Sequence, residues 1–192
     1  MLVLILGLVL FLAPHSVRIV AEPWRTRTLA RVGEARWKGV YALVSIVGFV
    51  LMVWGYGLAR QQPVELWTPP VAMRHIAALL TLLAFVLVAA AYVPGNGLKA
   101  KLHHPMVIGV KTWAFAHLLA NGNLADVLLF GAFLVWAALS FRAARGRDRA
   151  AGVQYPPGRS GATVLTLVVG VVAWAVFAFW GHAALIGVRP FG

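Results

Sequence analysis

Six apolar runs, each near the length needed to cross a bilayer, alternate along the chain with polar stretches marked by proline or glycine. A hydrocarbon core takes roughly 20 residues at helical rise, so residues 1–20, 40–58, 71–93, 105–119, 124–141 and 162–188 are predicted as spans, the fourth being short. The first run lacks the positive start and small-residue cleavage site of a secretory signal and is expected to be retained. The basic stretch 18–38 contains Pro23 and predicts a connection lying along the membrane surface, with room for a short amphipathic helix. Gln61, Gln62 and Pro63 end the second run, and Pro69 and Pro70 introduce the third. Pro94, Gly95, Asn96 and Gly97 close the third run, and Asn121, Gly122 and Asn123 turn into the fifth. The Arg-, Gly- and Pro-rich stretch 142–161 reads as a mobile loop. The expectation is one all-α unit over residues 1–192, a polytopic membrane bundle of about six transmembrane helices.

Charge orients this arrangement. Of the 17 Lys and Arg residues, thirteen fall on the connections after the first, third and fifth runs, while Arg60, Arg74 and Arg189 fall on the other side and Lys111 lies inside the fourth run. By the positive-inside rule the basic connections are cytoplasmic and both termini lie outside the cytoplasm. The net charge of +12 is spread over these flanks rather than drawn into one stripe, which argues against a nucleic-acid partner and leaves the lipid bilayer as the expected one.

Composition narrows the chemistry. Without cysteine the chain has no disulfide, thiolate ligand or iron–sulfur centre, so redox work needs a cofactor held by other side chains. Five acids in total leave little from which to build a Ser/His/Asp triad or a carboxylate pair, and Asp126 after Asn123 reads as a helix first-turn residue.

Histidine is the remaining ligand type. His15, His103 and His104 lie toward the basic side, and His75, His117 and His182 toward the other. His103 and His75, beside Lys101 and Arg74, read as solvated interfacial residues, and His182 as a packing residue near the surface. His15 and His117 are deeper, and ionisable groups there are functional candidates. Trp113, His117 and Asn121 recur every four residues on one helix face, while His104 and Lys111 share another. His104 and His117, 13 residues apart, are separated by about 20 Å and cannot ligate one iron. Arg18 follows His15 by three residues, which suits either a haem propionate or a lipid phosphate. Lys111 is placed to pair with a carboxylate or to snorkel.

His15-Ser16, then Gly33, Glu34, Arg36, Tyr41 and Ser45, then His104-Pro105 followed by eleven residues, His117 and Leu118-Leu119-Ala120-Asn121-Gly122, resemble the NnrU family of bacterial membrane proteins. The resemblance covers most of the chain. It implies an association with nitrite and nitric oxide reduction and, through homology to the plant 15-cis-zeta-carotene isomerase, a b-type haem whose axial ligands are His15 and His117. Arg18 or Lys111 would then serve the propionates, with Trp113 and Asn121 near the site. The isomerase has a cysteine three residues before the second ligand; Ala114 stands there in this chain. The span assignment puts His15 and His117 on opposite sides of the mid-plane, so His75, His182 and His104 are kept as fallback ligands. Other classes also remain open: a haem-dependent membrane isomerase, a redox protein with an electron partner or small apolar substrate, or a non-catalytic assembly factor. His104-Pro105-x-x-x-Gly109 resembles an element of S-adenosylmethionine-dependent membrane methyltransferases, but the adjacent acidic pair of those enzymes is missing.

Overall fold

Apolar side chains on every face of a segment leave the backbone no partner but itself, and the apolar runs are helices accordingly. The computed structural model describes residues 1–191. It contains α1 (Leu2–Val20), α2 (Glu22–Val32), α3 (Glu34–Gln61), α4 (Val71–Tyr92), the short α5 (Gly97–Leu102), α6 (Pro105–Ala120), α7 (Leu124–Ala150) and α8 (Ser160–Val176). The last helix continues through a π-helical turn, Phe177–Gly181, into α9 (His182–Ile186). Five of these helices are long and apolar enough to cross a membrane, and α6 is a shorter apolar helix.

α2 is the surface helix expected between the first two spans. Pro23 sits in its first turn, where a missing amide proton costs nothing, and Gly33 ends it at φ +84, a conformation that favours glycine. Two expectations need correction. α3 begins at Glu34, six residues before the expected span, and α7 runs nine residues past 141. The stretch 142–161 is therefore not a mobile loop: its first half is helix, because Arg and Ala are good helix formers whatever their polarity. Its second half is fastened, the Arg159 amide donating to the Gly95 carbonyl at 2.8 Å while Gly158 lies directly on the Gly97 backbone.

The helices stand in a curved row in which α3 packs on α1, α1 on α7, α7 on α6, α6 on α4 and α4 on α8. α7 is thus flanked by the two helices that carry His15 and His117. The tightest approach is α1 on α3. A Cβ on Gly7 would come within 2.2 Å of the Met52 amide nitrogen, one on Gly48 within 2.5 Å of that of Phe11, and one on Gly55 within 2.3 Å of that of Leu4. Such small-residue contacts let backbones touch where lipid offers no hydrophobic drive. They also fix the antiparallel register, and with it the level of His15 opposite the Tyr41–Ser45 turn of α3. Large side chains such as Val40, Leu43, Phe49 and Val169 are left exposed on the outer faces, as lipid contact requires.

Replacing Gly48 by Val is expected to destabilise the detergent-solubilised protein by about 1–3 kcal/mol through overpacking. Gly57→Ala, with nothing within 4 Å of its added methyl, is expected to be neutral or slightly stabilising. Thermal unfolding of the two variants side by side checks the packing, and equal loss in both would contradict it.

Candidate functional site

His15 lies one turn beyond Phe11 on α1. Its Nδ1–H donates to the Phe11 carbonyl at 2.6 Å. A carbonyl only accepts, so in the neutral ring the proton is on Nδ1 and Nε2 presents a lone pair. The ring stacks on Phe11 at 4.4 Å, tilts against Tyr41 at 5.1 Å and meets the edge of Trp136 at 6.1 Å. Two further polar groups at this level of the bundle, Ser45 Oγ and Trp136 Nε1, are buried without a hydrogen-bond partner among the described residues. Buried polar atoms are ordinarily satisfied, so orphans mark a place built for something else.

A cavity of about 270 Å³ opens from this point toward the basic end, lined by His15, Arg18, Arg25, Trp37, Lys38 and Tyr41 among others. Its cations are held loosely. Glu22 accepts from Arg18 at 3.2 Å and from Arg25 at 3.3 Å, and Lys38 meets Glu34 at 2.6 Å on an exposed surface. Solvated pairs of this kind are worth little, and an incoming anion can displace them.

His117 repeats the pattern on α6. Its Nδ1–H donates to the Trp113 carbonyl at 2.9 Å, and its ring stacks on Phe130 at 4.5 Å. The neighbouring polar residues are spent on holding the helix ends. The Asn121 amide donates to the His117 carbonyl at 2.8 Å. Gly122 passes so close to the Trp67 carbonyl that a Cβ would lie 1.8 Å from it, and its own carbonyl accepts from Leu66 and Trp67. Asp126, 3% exposed, caps α7 with Asn123 as a first-turn residue and accepts from the Tyr56 hydroxyl at 2.5 Å, which ties α3 to α7.

The two histidines are not brought together. Phe133 of α7 touches Phe11 at 5.8 Å and Trp113 at 5.6 Å, so these three rings form one layer across α1, α7 and α6. His15 lies a turn beyond the layer toward the basic end, and His117 a turn beyond it the other way. The His15 ring lies 4.4 Å from that of Phe11 and the His117 ring 5.2 Å from that of Trp113, so the layer stands between the two imidazoles. Trp113, expected near a ligand, is part of the layer and lies beside His117 at that distance.

The remaining candidates lie elsewhere. His104 Nε2 donates to Asp148 at 2.7 Å, and the Tyr155 hydroxyl donates to the same carboxylate oxygen at 3.0 Å. His103 adopts φ +68 in a tight turn closed by the His104 amide on the Leu102 carbonyl, stacks on Tyr155 at 4.1 Å, and accepts from Arg145. Lys111 Nζ lies 5.5 Å from the centre of Phe141, the ring that also meets the edge of His104, so Lys111 reaches toward the basic end, and it does not line the His15 cavity. His75 is exposed in the first turn of α4. His182 donates to the Val188 carbonyl at 2.7 Å, past the π turn.

As a donor set for haem, this chemistry fits: two imidazoles, each with its proton fixed by a backbone carbonyl and a free Nε2, as metal-ligating histidines ordinarily are. The helices that carry them, α1 and α6, do not contact each other and are bridged by α7. Among the described residues, no cluster of three or more His, Asp or Glu is suited to a bare metal ion. Sequence reasoning passed over Trp136, Tyr56, Asp148 and Tyr155. Asp148 had one visible signal, a lone acid among the arginines between 142 and 149, whereas Tyr155 reaches it only because the chain folds back.

A family model described as NnrU protein matches residues 3–190 of this 192-residue chain. No curated protein and no solved structure matches it.

Partial burial opposes ionisation of Asp148, but the hydrogen bonds from Tyr155 and His104 and the adjacent histidines outweigh it and hold the carboxyl below its ordinary value of 3.8. A depressed carboxylate contributes stability that is complete above the unfolded value and lost as pH falls through the folded one. Unfolding temperatures measured downward from pH 6 are therefore expected to fall faster below about pH 4 for the native chain than for Asp148→Asn. Parallel curves would contradict this.

Proposed function

This chain belongs to the NnrU family, and from that premise we propose that it is a haem-binding membrane protein: a b-type haem held through histidine, serving nitrogen-oxide (nitrite or nitric oxide) or related redox metabolism. The observation that carries the reading is the state of the two deep imidazoles. Each gives its Nδ1 proton to a carbonyl four residues back and keeps Nε2 free inside an apolar bundle that has no cysteine. A free imidazole nitrogen in such surroundings is a ligand in waiting.

The parts of the chain have distinct roles in this reading. His15 and His117 are the candidate iron ligands. Arg18, Arg25 and Lys38 at the mouth of the His15 cavity are placed for anionic propionates, and the aromatic layer of Phe11, Phe133 and Trp113 keeps water from the interior. When bound, haem supplies one-electron chemistry, which no side chain here provides. Positive-inside asymmetry puts the basic end in the cytoplasm and both termini in the periplasm of a bacterial inner membrane. The methyl-transfer alternative gains nothing from the fold, since His104 is committed to Asp148 and Gly109 to close packing on the Ala84 carbonyl.

Purified protein titrated with haemin is expected to develop a Soret band saturating at a stoichiometric amount, with a pyridine haemochrome of the b type. The reading fails if no saturable band appears. For the orientation, a periplasm-dependent phosphatase fused to the C-terminus is expected to be active, and the same enzyme inserted after Gly152 inactive. The reverse pattern would overturn the topology.

A further inference from the structure

The cavity between α1, α2 and α3 has an apolar side as well as a charged one, and the haem reading uses only His15 and the cations. Val17, Leu29 and Trp37 line its wall, and Arg18, Arg25 and Lys38 its mouth. α2 supplies the outer side. Arg25 and Leu29, four residues apart on one face of that helix, turn to the cavity, while Arg27 and Arg31 are exposed and do not line it. Among the described residues α2 touches only α1 and α3, its neighbours in the chain, and buries no side chain. Its half-exposed Trp24 meets the edge of Trp37 at 5.7 Å. A basic helix that rests on nothing deeper in the protein and carries an indole pair lies in the headgroup region of a bilayer, so the cavity opens where lipid phosphates are.

Charge narrows the occupant. The three cations face two carboxylates, Glu22 on Arg18 and Arg25 and Glu34 on Lys38, which leaves one positive charge over. The two arginines bracket Glu22. Arg18 Nε donates to one of its carboxylate oxygens at 3.2 Å and Arg25 to the other at 3.3 Å, so the place of an anion with two free oxygens is already marked between them. A phosphodiester has that shape and carries the single negative charge that balances the site. At about 270 Å³ the cavity has room for a headgroup but not for acyl chains, and its apolar wall suits a glycerol backbone better than a free ion.

We infer that this cavity binds an anionic phospholipid, its phosphodiester displacing Glu22 between Arg18 and Arg25 and its acyl chains remaining in the bilayer. The inference goes beyond the haem reading and does not rest on it. Where haem is bound, its propionates and the lipid phosphate compete for the same cations.

The test uses the full chain, purified in detergent without haem and titrated with phosphatidylglycerol or phosphatidylcholine, with bound lipid counted by native mass spectrometry. One phosphatidylglycerol is expected to be retained about tenfold more strongly than phosphatidylcholine, whose choline cancels the phosphate charge. Excess inorganic phosphate is expected not to displace it. Arg18→Gln/Arg25→Gln is expected to weaken retention about tenfold relative to Arg27→Gln/Arg31→Gln, which makes the same change of charge outside the cavity. Glu22→Gln frees both guanidinium groups and is expected to retain the lipid severalfold more strongly, a gain that loss of the fold cannot produce. Equal retention of the two lipids, equal loss in the two double variants, or no gain in Glu22→Gln would overturn the inference. Displacement by phosphate would also overturn it and give the site to a free anion. All of these readings are taken without haem, so the Soret titration decides the haem reading separately.

Discussion

Backbone laid on backbone between α1 and α3 governs the depth of everything on the first helix. With glycine at positions 7, 48 and 55 the helices approach until main-chain atoms touch, and a contact of that kind admits only one register. α7 then serves as a common ruler. Phe133 meets Phe11 on one flank and Trp113 on the other, which sets the levels of α1 and α6 relative to each other. The positions of His15 and His117 follow from these two constraints and not from any attraction between the histidines. In a membrane interior, where apolar burial gives no preference among helix registers, steric fit and interhelical polar contacts are what remain to choose one.

Much of this was legible in the sequence and some was not, for physical reasons. The number of spans, the surface helix at α2 and the turn at Asn121–Asn123 follow from apolar length and from proline and glycine chemistry, which are local properties. The opposite depths of His15 and His117 were also visible from span counting alone. The extension of α7 was missed because polarity was taken for disorder, although Arg and Ala favour helix. Tyr155 on Asp148 and Tyr56 on Asp126 join residues from separate elements, and no periodicity reports such a pairing. The LLANG segment is instructive in another way. Its asparagine looked like a site residue, yet it caps α6, while its glycine, expected in a turn, lets the chain cross Trp67.

Polar groups inside an apolar bundle have three fates here. Some lock helices, as Tyr56 and Asp126 do. Some satisfy the helix from which they project, as Thr166 does by donating to the Ala162 carbonyl at 2.8 Å. The third kind stay unsatisfied, and among the described residues these orphans, Ser45 and Trp136, belong to the level of His15. Leaving a buried donor unpaired costs about 1–3 kcal/mol, a cost that a bound partner would remove.

The most direct measurement is X-ray absorption at the iron edge of the haemin-loaded full chain, which counts imidazole ligands from their scattering around the metal. The account expects imidazole nitrogen bound to the iron, and fewer imidazoles per iron once His15 is replaced by Gly. Haem bound with no imidazole at the iron, or with an imidazole count unchanged in both His15→Gly and His117→Leu, would contradict the histidine assignment on which the account is built.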